Sequence, residues 1–152
     1  MTVPLKRQSI VPRMDSILRD IERLRKFTAI SRDEFARNAD SFDIAKARLR
    51  EALEGVFHIG AHILARLNGG RVTEYKEIAR KLGEYAVVDK EFADVTLVQM
   101  AGYRNRLTHF YADIASEELY DILQNHLNDF ETFLGAIKRV LEHPEQFNIR
   151  IE

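Results

Sequence analysis

Apolar residues return at every third or fourth position over most of this chain, the interval at which side chains share one face of an α-helix. The first stripe, Met14, Ile17, Leu18, Ile21 and Leu24, predicts a helix over about 14–29 with Arg and Glu on the opposite face. Ser31-Arg32-Asp33-Glu34 then reads as a capping box, with the hydroxyl capping a backbone N–H and Glu34 reaching back; a short helical turn should end near Asn38. Asp40 or Ser41 opens the longest stripe, which runs through Phe42, Ala45, Leu49, Leu53, Val56, Ile63 and Leu67, and Gly69-Gly70 should stop it. Gly60 and Ala61 inside it leave room for another helix to come close. A short helix is expected over 74–82, then one over 90–106 with Asp89 as its N-cap and Phe92, Val95, Leu97, Val98, Met100 and Ala101 as its apolar positions. Ser116-Glu117-Glu118 starts a last long helix whose stripe extends from Leu119 through Leu127 and Phe133 to Leu141, with early acids suiting the positive end of the dipole. The three prolines, Pro4, Pro12 and Pro144, leave 13–143 free of helix breakers, and no run with the period of a strand is long enough to found a sheet. The pattern predicts an all-α fold: an antiparallel bundle of about five helices, three of them long, in one domain over 1–152 with its core at about 14–142.

Composition narrows the classes of chemistry. A chain of 152 residues, 45% hydrophobic and 31% charged, can build one real core without staples. It contains no cysteine, which excludes disulfides, thiolate zinc sites and a cysteine nucleophile. Lys plus Arg total 23 against 24 Asp plus Glu, so any basic surface must be local. No apolar run is long enough to span a membrane, and the first thirteen residues lack the apolar core of a signal peptide; a soluble cytoplasmic protein is expected.

Five histidines are the scarce chemical resource. His58 and His62 stand four apart on the long helix, as metal ligands can, but Ile59-Gly60-Ala61 lies between them instead of the Glu of a zinc-protease helix, and the preferred reading is a packed or partly exposed pair. Glu-x-x-His on two helices, the di-iron pattern, is absent. There is no P-loop and no nucleophile elbow. His126 is expected on the solvated side of the last helix and His143 at its end. What remains is Tyr103-Arg104-Asn105-Arg106-Leu107-Thr108-His109-Phe110-Tyr111, between two helices. Asn105 and His109 would share a face if the helix continued that far. Arg supplies a planar fork matched to phosphate oxygens, and His can move a proton near neutral pH. These are the two groups that metal-free RNA cleavage needs. An ordinary polar helix end, with Arg in solvent and His against the dipole, fits the same residues.

The segment resembles the Arg-x4–6-His signature of the HEPN superfamily, here Arg104-Asn105-Arg106-Leu107-Thr108-His109, with the polar residue directly after Arg that is typical of it. Tyr111 extends it to Arg-x4-His-x-Tyr, which looks like the HepT branch in particular, and the likeness covers roughly 14–140. The resemblance implies a metal-independent endoribonuclease acting as a homodimer, the toxin of a pair whose antitoxin is a minimal nucleotidyltransferase, with no cofactor and no metal. Carried over, Arg104 would stabilise the scissile phosphate and His109 would be the acid/base group. Asn105 would orient one of them or the RNA, and Tyr111 would accept AMP units from the antitoxin. Arg106 lies outside the signature and is taken as a phosphate contact.

Chemistry favours a dimer independently. Attack by a ribose 2′-OH needs a base for that hydroxyl and an acid for the leaving 5′-oxygen, and one protomer has one His in the motif; a two-fold axis would bring a second. Two alternatives remain open. One is a non-catalytic HEPN module that binds RNA, nucleotide or a nucleotidyltransferase partner. The other is a structural or regulatory helical protein that binds a partner enzyme.

Overall fold

The computed structural model describes residues 3–67, 71–109 and 114–152. These form α1 (Arg7–Arg25), α2 (Arg32–Arg37), α3 (Ala39–Leu64), α4 (Tyr75–Glu84), α5 (Val98–Thr108), α6 (Ser116–Asn125) and α7 (Leu127–Glu142), with short 3₁₀ turns after α1 and α7. The fold is all-α, a helical bundle, as the periodicity predicts. The Gly69-Gly70 stop lies outside the described residues.

The stripes are the core. Ile17, Ile21 and Leu24 of α1 bury against α3, whose Ala45, Leu49, Leu53, Val56, Gly60 and Ile63 form the buried face that was expected. Gly60 does leave room: a Cβ there would stand 2.9 Å from Leu82 and 3.0 Å from Ile78, so its absence lets α4 lie against α3. Ser31 caps α2 through the Glu34 N–H at 3.1 Å, and Asn38 ends α2 and caps α3 through the Ser41 N–H at 3.1 Å. The α3 cap is therefore two to three residues earlier than the sequence suggests, because an Asn carbonyl oxygen serves as well as Asp or Ser.

Four expectations are corrected. Helix α1 begins at Arg7, not near Met14, and carries Pro12 inside it. The missing N–H costs one bond near the helix start, and the chain ahead of it is tied down instead: Leu5 pairs with Ile151 in an isolated parallel bridge through Leu5 N–H to Arg150 O and Glu152 N–H to Leu5 O, both 2.8 Å. The helix before the motif is not uniform, since Phe92–Leu97 is a π-helical turn that runs into α5. The wider turn rephases the stripe: Ala93, Leu97, Met100 and Ala101 are buried, Phe92 and Val98 are half-buried, and Val95 is 63% exposed. The last long helix is two, α6 and α7, broken at His126. His126 is consequently not a solvated helix-side residue: its Nδ1 lies 3.1 Å from Asp129 and its ring 6.3 Å from Tyr103.

Candidate active site

Helix α5 packs on α3 and α4, and Met100, Ala101 and Leu107 are its buried residues. Arg104 occupies the same stripe, three beyond Ala101 and three before Leu107, so a guanidinium is drawn into a position that an apolar side chain would normally fill. Its side chain is 22% exposed. The guanidinium carbon lies 4.0 Å from the centroid of the Tyr75 ring at the start of α4, and Nη2 lies 3.9 Å from Glu54 Oε1 on α3. Nε is buried with no hydrogen-bond partner. A cation held on an aromatic face, with a long ion pair and one unsatisfied N–H, is suited to receive an oxyanion.

The end of α5 follows from Thr108. Its hydroxyl donates to the carbonyls of Arg104 at 3.2 Å and Asn105 at 3.0 Å, taking acceptors that a further helical turn would use. The His109 N–H turns to the Arg106 carbonyl at 3.4 Å, and the residue is extended at φ −104 and ψ 128. The helix therefore does not carry Asn105 and His109 onto one face; His109 is the exposed C-cap and Asn105 is half-buried on the last turn.

Arg106 makes a two-pronged pair with Glu118 of α6, Nη1 to Oε2 and Nη2 to Oε1, both 2.6 Å. This hydrogen-bonded pairing pulls the Glu118 carboxyl below its ordinary range and raises Arg106. Arg106 thus ties α5 to α6 across the motif and offers substrate only what Glu118 leaves. Tyr111 lies outside the described residues.

Tyr75 and Glu54 are the functional neighbours that sequence reasoning missed. Neither Glu54 nor Tyr75 is near Arg104 along the chain, and no spacing rule links either to it. The His58–His62 pair is split: His58 is exposed, while the half-buried His62 faces the Lys6 N–H with its Nε2 at 3.5 Å. Burial and the nearby Arg66, Arg13 and Lys6 push His62 down to about 4. Among the described residues no group of three or more His, Asp or Glu side chains could hold a metal ion, and no described helix is long and apolar enough to cross a membrane.

A family model described as ribonuclease HepT-like matches residues 17–137. A tRNA nuclease HepT from Aphanizomenon flos-aquae is 27% identical over 139 residues, covering 91% of this chain and 94% of that protein. An mRNA nuclease HepT from Shewanella oneidensis is 24% identical, covering 85% of this chain and 96% of that one. The fold is also that of a solved tri-AMPylated Shewanella oneidensis HEPN toxin in complex with an MNT antitoxin, with a TM-score of 0.76 and 24% identity over 85% of this chain and 96% of that chain.

Proposed function

Because the chain belongs to the ribonuclease HepT-like family, we propose that it is a toxin ribonuclease, a metal-independent endoribonuclease with Arg104 and His109 as its catalytic residues. The observation that carries the reading is Arg104 itself, a guanidinium seated on Tyr75 with a buried, unsatisfied Nε. A cation placed on the buried stripe of a helix is costly unless it has work that solvent-facing Arg cannot do.

In the proposed reaction His109 takes the proton of a ribose 2′-OH, and O2′ attacks the adjacent phosphorus. The bond from phosphorus to O5′ breaks, and a second copy of His109, across a two-fold axis, protonates the leaving oxygen. The products are a 2′,3′-cyclic phosphate and a 5′-OH, so atoms and protons balance without a metal-bound nucleophile. Arg104 neutralises the charge that builds on the non-bridging oxygens. Asn105 orients the RNA or one of the catalytic side chains. Arg106 is a weaker phosphate contact, through the Nε–H that Glu118 does not occupy.

Cleavage of single-stranded RNA in excess EDTA tests this. Wild-type protein should cut, and Arg104→Ala and His109→Ala should each lose about 10²–10⁴ in rate with unchanged helicity. Activity that vanishes with chelator and returns with added metal would sink the mechanism, as would either variant cutting at the parental rate.

Control is proposed to come from a nucleotidyltransferase antitoxin in the same cytoplasm that adds AMP to Tyr111. The tri-AMPylated state of the Shewanella toxin supports this. The phenol attacks the α-phosphorus of ATP, pyrophosphate leaves, and each AMP places a phosphodiester anion two residues from His109, where it competes with RNA for Arg104. Co-expression with the antitoxin should add AMP masses at Tyr111 and suppress cleavage; Tyr111→Phe should stay unmodified and active. Full suppression of the Phe variant would remove Tyr111 from the mechanism.

A further inference from the structure

We propose that the pocket between α1, α3 and the start of α4 is a nucleotide subsite, which seats the phosphate and base next to the scissile bond of the same RNA strand. The inference rests on the ribonuclease reading above and names where the substrate continues. The cavity holds about 470 Å³, in the range of small-ligand sites and suited to a single nucleotide. Arg13, Arg66 and Arg71 line it, and no carboxylate among the described residues does. In a chain of net charge −1, three guanidiniums without an acid are a local exception. Arg13 and Arg71 make no ion pair among the described residues, whereas Arg66 is held in place by the carbonyls of Pro4 at 3.3 Å and His62 at 3.2 Å.

The walls suit the rest of a nucleotide. Ala61, Val72 and the ring of Tyr75, all half-buried, form apolar lining for a base. Tyr75 connects the pocket to the reaction centre: it lines the cavity, its ring lies 5.2 Å from that of Phe57, and Arg104 sits over it. A strand whose scissile phosphate meets Arg104 therefore has the pocket as its neighbour across one aromatic ring. The adjoining hollow shares Arg13 and His58 but carries Glu51 and Glu54, whose charges would repel the strand and direct it to the Tyr75 side. His62 also lines the pocket, and burial first, then Arg66, Arg13 and Lys6, lower its pKa to about 4.

The test uses a short, fluorescent, 2′-O-methylated single-stranded RNA that cannot be cut, titrated by anisotropy across a salt series, alongside cleavage of the unmodified RNA. Arg13 and Arg71 are exposed and make no ion pair among the described residues, so Arg13→Ala/Arg71→Ala should fold, which circular dichroism checks. The double variant should bind about tenfold more weakly and lose roughly one unit or more of the salt slope, at about 0.7 per phosphate contact. Its KM should rise with kcat within about twofold, while Arg37→Ala on α2 leaves both unchanged. Bound RNA should also move the His62 titration, followed by NMR, upward from about 4. Wild-type affinity and salt slope in the double variant would overturn the subsite while leaving the nuclease standing. Binding through these arginines without any cleavage would do the reverse. A double variant that loses affinity for free AMP but not for RNA would make the pocket a mononucleotide site and overturn the proposal.

Discussion

The guanidinium of Arg104 lies over the ring of Tyr75, with 4.0 Å from its central carbon to the ring centroid, and the two residues come from different helices. The contact restrains a long side chain, and on the proposed reading it holds the charge in place before a phosphate arrives. Removing the ring releases Arg104 without removing its charge. Tyr75→Ala should lower kcat by about twofold to thirtyfold, the equivalent of ~0.5–2 kcal/mol for a cation–π contact. Tyr75→Phe, which keeps the ring face, should restore it. Single-turnover cleavage with saturating protein checks this; equal losses in the Ala and Phe variants would assign the effect to the hydroxyl instead.

A composite site requires two chains. Sedimentation velocity should give a particle of twice the 17.6 kDa chain mass, and cross-linking should join copies near the segment 104–111. An active monomer would contradict the two-histidine mechanism.

Two groups outside the Arg104–His109 motif should oppose one another in the pH dependence of stability. Asp20 is 2% exposed, and burial with Glu51 beside it raises it to about 6, despite Arg48 and Arg23. A carboxyl raised in the folded state favours folding while protonated, so its contribution is full below about 3.8 and is lost as pH rises through about 6. His62 is lowered to about 4 from 6.5, so the unfolded chain takes the proton first and stability is lost as pH falls from 6.5 toward 4. Urea unfolding across this range should show Asp20→Asn gaining on wild type as pH rises, by on the order of 2 kcal/mol near neutrality. His62→Gln should gain on wild type as pH falls. Parallel curves for all three proteins would refute both assignments.

Ala86 closes α4 in the left-handed conformation, φ 57, with the Val87 N–H bonded to the Leu82 carbonyl at 2.9 Å. Glycine suits that position and alanine does not. Ala86→Gly should stabilise the protein by about 1 kcal/mol, seen as a rise in Tm of roughly 2–4 °C. The Ala86 carbonyl, which accepts from Arg139 at 2.9 Å, is unchanged by the substitution.

The resemblance to the Arg-x4-His signature singled out Arg104 and His109, and the sequence by itself determined that the chain is helical and which residues of α3, α6 and α7 are buried. Periodicity carries this information because a side chain's place on a helix depends only on its neighbours along the chain. The break at His126, the π-helical turn before α5 and the start of α1 at Arg7 were not legible. Each depends on contacts from elsewhere: the His126 ring meets Tyr103, Ala93 of the π-turn packs against Gly83, and the chain before α1 pairs with residues 150–152. The same limit applies at the site. An amphipathic stripe states that a face is covered but not by what, so the sequence could name Arg104 while leaving open whether it faced solvent. Only the packing of α3, α4 and α5 decided that Tyr75 and Glu54 receive it, because residues distant in the chain become neighbours through the fit of helix surfaces, which no local spacing encodes.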